Sequence, residues 1–123
     1  MRHLGVGVDI EIIQRFRNLN RKKDKRFFDL VYTSKELEFC YNSINVAQQL
    51  AKYFCGKESV IKALNGIGYS RIYAYNIEIS CSSLGNYKVQ IQNNPRSLFL
   101  CLSISHCEEQ AIAFSIASEN TIN

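Results

Sequence analysis

The chain has 123 residues, a formal net charge of +4, 46% apolar residues and five scattered cysteines. This length suits one unit with its own core, so residues 1–123 are read as a single domain. No stretch approaches the ~20 apolar residues of a membrane span. No early apolar run reads as a signal segment, and no C-x-x-C suggests zinc, so reduced thiols and a cytoplasmic location are expected.

The first element is Gly5-Val6-Gly7-Val8-Asp9-Ile10-Glu11, inside a strand expected over about 3–11. Val6, Val8 and Ile10 share one face, while Gly5, Gly7 and Asp9 share the other. A carboxylate planted in such a strand is costly to bury alone. It needs a Lys or Arg, a ring of backbone N–H groups or a metal ion, unless Asp9 simply caps the next helix. Ile12, Ile13, Phe16 and Leu19 then recur at helical spacing.

Residues 15–26, RFRNLNRKKDKR, hold seven of the fifteen basic residues and one acid. The rest of the chain has eight basic and ten acidic residues, so the whole positive excess sits in this segment. It reads either as a solvated face or as a patch that steers a polyanion: RNA, DNA, an anionic membrane or a very acidic protein.

A short helix or turn is expected at Arg26–Tyr32. Thr33-Ser34-Lys35-Glu36 is a capping box that starts a helix to about Tyr41. The longest helix should run from Val46 to Leu64, with Leu50, Phe54, Ile61 and Leu64 as its core stripe, and Asn65-Gly66-Ile67-Gly68 should stop it. The period then changes. Tyr75–Ser80, Tyr87–Gln92, Ser97–Ser105 and Gln110–Ala117 read as strands, with turns at Ser82–Asn86, Asn93–Pro95 and Cys107–Glu109. One strand, a helical block and a run of strands joined by short turns make an α+β fold, mostly antiparallel sheet packed against a long helix and shorter helices.

Three groups carry chemistry. Asp9 is one. Gly56-Lys57-Glu58-Ser59-Val60-Ile61-Lys62 is the second, with Glu58 and Lys62 four apart on one helix face; as a surface pair they would contribute only ~0.2–0.5 kcal/mol. The third is Ser103-Ile104-Ser105-His106 at a strand end. Together they suit Mg²⁺, which takes one or two carboxylates and fills its octahedron with water and substrate phosphates. Asp9 and Glu58 would be the carboxylates, and Lys62 would reach a phosphate oxygen. No Walker-type or G-x-G-x-x-G loop is present.

GVGVDIEI, FFDLVYTSKELEFC, LAKYFCGKESVIKALNGIG and LSISHCEEQAIAF, in this order and spacing, resemble the 4′-phosphopantetheinyl transferases, in size and layout their bacterial holo-acyl-carrier-protein synthase group. The resemblance spans nearly the whole chain. It implies transfer of the phosphopantetheine arm of coenzyme A to a serine of an apo acyl carrier protein, with adenosine 3′,5′-bisphosphate released, in fatty acid biosynthesis. It implies Asp9 and Glu58 as Mg²⁺ ligands, Asp9, Glu58 and Lys62 as catalytic residues, and Lys57, Lys62, Ser105 and His106 as coenzyme A contacts. Arg15 matches a position that docks the acidic carrier, and Arg17 and Arg21 would extend that surface. A homotrimer with active sites between subunits is also implied, with neither nucleic acid nor membrane as partner.

Three departures stand out. Tyr53 occupies a position where the family usually has arginine, and a guanidinium is not replaceable by a phenol at a phosphate. The usual G-K-P turn reads Gly85-Asn86-Tyr87-Lys88, and the segment Asn93 to Ser97 is too short for the helix some relatives carry there. Two rival readings follow: an inactive paralogue, supported by Tyr53, and a small basic RNA-binding module that stacks bases on Tyr73, Tyr75 and Tyr87.

Overall fold

The computed structural model describes residues 2–93 and 98–120. Strand β1 (Arg2–Ile12) leads into a one-turn helix α1 (Ile13–Arg17), followed by α2 (Lys25–Val31), α3 (Ser34–Tyr41) and the long α4 (Val46–Gly66). A 3-10 turn (Ala74–Asn76) precedes β2 (Ile77–Cys81), β3 (Tyr87–Ile91), β4 (Leu98–His106) and β5 (Gln110–Asn120). The α+β class and every expected helix and strand are present. The Asn93–Pro95 turn and the shortened Asn93–Ser97 segment lie largely outside the described residues.

The strands form two antiparallel sheets, β1-β5-β4 and β2-β3, rather than one meander. The first strand pairs with the last, Asp9 opposite Ala113 and Glu11 opposite Ala111. Sequence order alone hides this closure, because hairpin turns report only neighbours in the chain.

Local chemistry explains the helix starts. Thr33 accepts from the Glu36 N–H (3.3 Å) while Glu36 accepts from the Thr33 N–H (2.8 Å), the full capping box. Asn45 caps α4 by accepting from the Gln48 N–H at 3.1 Å. Each such cap contributes about 1 kcal/mol.

Helix α4 lies across the inner face of the β1-β5-β4 sheet, and side-chain size sets how closely. A Cβ on Gly7 would fall 1.9 Å from the Ser59 carbonyl oxygen, and one on Gly5 2.0 Å from that of Ala63. Beside them β5 presents only Ala111, Ala113, Ser115 and Ala117, all buried. The core stripe of α4 is wider than expected. Leu50 and Leu64 are buried together with Ala51, Cys55, Val60 and Ala63, while Phe54 and Ile61 are partly buried at its margin.

The outer face of the same sheet is the reverse. Leu4, Val6, Val8, Ile10 and Ile12 all stand more than half exposed, beside Ile112, Phe114 and Phe99. The β-branched face of the first strand points away from this chain's core, and the glycine and carboxylate face points into it.

Candidate functional site

Asp9 sits near the end of β1, on the face turned to α4. It caps nothing: the residue before α1 is Ile12, with no side-chain cap. The ammonium of Lys62 donates to the Val8 carbonyl at 2.9 Å and pairs with Asp9 Oδ1 at 3.4 Å. The other carboxylate oxygen, Oδ2, is buried without a hydrogen-bond partner. Lys62 acts on Glu58 only at longer range, so the i,i+4 surface pair gives way to a bridge from helix to strand.

Glu58 reaches the same place from α4. Burial, then the charge of Asp9, holds its carboxyl above the usual carboxylate range. A third carboxylate joins them. Glu11, two residues beyond Asp9 on the same strand face, is pushed up to about 7 by burial, by a hydrogen-bonding contact with Asp9 and by the charges of Asp9 and Glu58. With both ionised, Asp9 Oδ2 has no donor, and a proton on Glu11 would supply one. Sequence reading did not single out Glu11. The period-two alternation that selected Asp9 also places Glu11 beside it.

Three acids crowd one another here with an orphaned oxygen among them, a hard-oxygen set of the kind a divalent cation would suit. Among the described residues no group of three or more His, Cys, Asp or Glu side chains is placed so that it could hold a metal ion by itself. The protein's share would therefore be partial, with other ligands completing the shell.

Glu11 also leads outward. Its Oε1 accepts from Arg15 at 3.1 Å, and the Arg15 guanidinium lies 5.1 Å from the Phe54 centroid, 5.4 Å from Phe16 and 5.7 Å from Phe27. Arg15 is thus held on an aromatic platform at the edge of the acidic site, half exposed. Arg17 donates to Gln14 at 2.8 Å, and Arg21 lies over the Tyr41 ring at 4.9 Å. All three arginines are exposed, and of them Arg15 is the one tied to the carboxylates, through Glu11.

Other expected site residues fall elsewhere. Lys57 is a correction: it is fully buried, and its ammonium is used up on Glu36 Oε1 (2.6 Å), the Val31 carbonyl (2.5 Å) and the Ala74 carbonyl (3.0 Å). It has no donor left for coenzyme A. Ser105 and His106 occupy opposite sheet faces, since Ser105 pairs with Ile112 and His106 with Ala111. His106 shares the inner face with Glu11, one strand removed on the far side of Ala111, about 10 Å away. Ser105 points to the outer, apolar face. The two side chains do not converge within one chain.

Tyr53 is buried in α4, stacked on Phe39 with centroids 5.5 Å apart, and its hydroxyl has no partner. Burial raises that phenol well above its ordinary range. Its neighbour Lys52 buries its stem and brings its ammonium 5.9 Å from the Tyr87 centroid. The aromatic side chains required for base stacking are not in a row on a sheet. Tyr73 and Tyr75 stack on each other at 5.7 Å around the 3-10 turn, and Tyr87 is half-buried.

Comparison with known proteins bears on the whole chain. The family model described as "4'-phosphopantetheinyl transferase superfamily" matches residues 5–115. The holo-[acyl-carrier-protein] synthase of Protochlamydia amoebophila is 38% identical over 120 residues, covering 94% of this chain and 98% of that protein. The protein of the same name from Halothermothrix orenii is 34% identical over 122 residues, with 94% and 97% covered. The solved structure of an ACPS–CoA complex from Chronobacterium ammoniagenes superposes with a TM-score of 0.77 at 22% identity, covering 96% of this chain and 98% of that one.

Proposed function

This chain belongs to the 4′-phosphopantetheinyl transferase superfamily, and from that premise we propose that it is a holo-acyl-carrier-protein synthase. It transfers 4′-phosphopantetheine from coenzyme A to a serine of an acidic apo acyl carrier protein. The serine Oγ bonds to the phosphorus bearing the pantetheine arm, the pyrophosphate P–O bond breaks, and adenosine 3′,5′-bisphosphate leaves. The observation that carries this reading is the pairing of Asp9 and Glu58 across β1 and α4, with Oδ2 of Asp9 orphaned and Lys62 alongside.

Asp9 and Glu58 would hold Mg²⁺, whose charge would polarise the pyrophosphate under attack. Two carboxylates suit its preference for hard oxygens; since no group of three or more His, Cys, Asp or Glu among the described residues could hold a metal ion, water and phosphate would have to supply the rest of its shell. Lys62, half exposed, offsets charge on the leaving phosphate. Glu58 is the proton acceptor for the serine, its raised carboxyl being better matched to that task than an ordinary glutamate. Arg15, with Arg17 and Arg21, docks the carrier beside these groups. His106 meets the nucleotide end of coenzyme A, and Lys52 supplies a positive charge next to Tyr53, where the family's arginine is absent.

The exposed outer sheet face supports a homotrimer. Eight large apolar side chains on one surface exceed what a solitary chain ordinarily leaves to water, and burying them between subunits would bring Ser105 of one chain toward a neighbour. Residues 1–123 act as one transferase unit in the cytoplasm, serving lipid metabolism. Among the described residues no helix is long and apolar enough to cross a membrane.

The test is a mass-spectrometric transfer assay with apo carrier, coenzyme A and Mg²⁺. The carrier should gain one phosphopantetheine, and EDTA or the Asp9→Ala, Glu58→Ala double substitution should abolish the gain. A folded wild-type protein that leaves several apo carriers unmodified would favour the inactive-paralogue reading that Tyr53 motivates.

A further inference from the structure

Lys57 and Glu36 form a fully buried ion pair at 2.6 Å, outside the acidic site. We propose that this pair is a positioning device that fixes the rotation of α4 and so aims Glu58 at Asp9. The inference rests on the reading of Asp9 and Glu58 as a cation site.

The pair joins α4 to four other segments. Lys57 donates to the last residue of α2, Val31, and to Ala74 in the 3-10 turn. Glu36 accepts from Thr33 at the start of α3 through Oε1 and from the Ile79 N–H of β2 through Oε2 at 2.7 Å. Every ammonium proton is used, and both carboxylate oxygens are bonded. Burial raises Glu36 and lowers Lys57, and each partner opposes the other's shift.

Stability alone does not explain such a pair. Well-packed apolar side chains commonly hold a core at least as firmly as a buried salt bridge. What they lack is direction, and α4 needs direction. Its sheet-facing stripe is Cys55, Ser59 and Lys62: the Cys55 thiol donates to the Asp9 carbonyl at 3.1 Å, Ser59 meets Ser115 at 2.6 Å, and Lys62 donates to the Val8 carbonyl. At 100° per residue Lys57 lies roughly opposite that stripe, and Glu58 lies about 60° to one side of it. Those three bonds hold the stripe on the sheet, and Lys57, held by three acceptors, pins the opposite side of the helix. A turn of the helix that relaxed those bonds would carry Glu58, the next residue, away from the strand.

The test uses the full chain and Mn²⁺ as the probe, followed by electron paramagnetic resonance, with folding checked by circular dichroism. Glu36→Asp keeps both charges and shortens the reach by one methylene, so it is the variant expected to fold. Lys57→Met with Glu36→Gln removes the charges together. For Glu36→Asp, the Mn²⁺ dissociation constant should rise several-fold and kcat should fall, while the KM for the carrier, set on α1, stays at the wild-type value. The double variant, where folded, should lose at least tenfold in Mn²⁺ affinity. A Glu36→Asp protein with a lower melting temperature but wild-type Mn²⁺ affinity and kcat would overturn the positioning role and leave a merely structural pair. A wild-type protein that neither binds Mn²⁺ nor transfers would overturn the site reading, and this inference with it.

Discussion

Replacing Asp9 with asparagine should make the cation-free protein more stable while removing its function. In the folded state Glu11 is raised from 4.5 to about 7, and Asp9 contributes both a hydrogen bond and a charge to that shift. The whole displacement corresponds to about 3 kcal/mol at 1.36 kcal/mol per unit, of which burial is the first cause and Asp9 supplies a part. Relief of the Asp9 repulsion on Glu11 and Glu58 should therefore outweigh the less than about 1 kcal/mol lost with the half-exposed Lys62 pair. For a chain of this size a net gain of about 1 kcal/mol raises Tm by roughly 4 °C. The sign with pH follows. A carboxyl raised in the folded state costs stability progressively as pH climbs from 4.5 to 7, so the wild-type apo protein weakens over that window. The advantage of the Asp9→Asn variant should be largest above pH 7, where Glu11 is ionised, and should shrink toward pH 5. Scanning calorimetry in EDTA at pH 5 and pH 8 measures it, and added Mg²⁺ should stabilise the wild type but not the variant. A lower Tm for Asp9→Asn at pH 8, or an equal Mg²⁺ response in both proteins, would refute the account of a strained acidic cluster.

On the outer sheet face, Val8→Lys places a charge amid the exposed apolar row and should convert a trimer to monomers by light scattering coupled to gel filtration, with coenzyme A affinity falling alongside. Gly7→Ala meets the Ser59 carbonyl at 1.9 Å; because backbone must shift, we expect a loss of about 2–4 kcal/mol by urea denaturation, in the range of severe overpacking. Arg15→Glu should raise the carrier KM at least tenfold at low salt with little change in the coenzyme A KM, and the wild-type carrier KM should itself rise with ionic strength, as screening acts over about 8 Å at 0.15 M.

Which parts of this molecule were readable in the sequence follows from the range of the forces involved. Element type depends on local periodicity and capping, so the box at Thr33–Glu36 and the length of α4 could be read directly. Asp9 was an anomaly in its strand, whereas Glu58 stood in an ordinary i,i+4 pair with Lys62 and was joined to Asp9 through the oxygen ligands that Mg²⁺ prefers. Lys57 misled because a lysine beside a site glutamate looks like a phosphate contact; its burial depends on Val31, Ala74 and Glu36, three segments distant in sequence. The partition into two sheets depended on long-range closure of β1 on β5, which no turn signal encodes. Glu11 needed only the alternation already applied to Asp9, carried two residues further.

The two faces of β1 make opposite demands on the same eleven residues. The inner face must be nearly bare, because α4 can bring Glu58 and Lys62 to Asp9 only by running over Gly5 and Gly7 in backbone contact. A bare face buries little apolar surface, so this strand gains less from its own core than an ordinary strand would. The outer face carries the missing surface as Leu4, Val6, Val8, Ile10 and Ile12, which nothing among the described residues covers. Close approach at the acidic site and the proposed reliance on a neighbouring subunit would thus be linked through a single strand. The glycines that admit the helix leave the valines and isoleucines to face outward, and assembly would recover the burial energy that the inner face gives up.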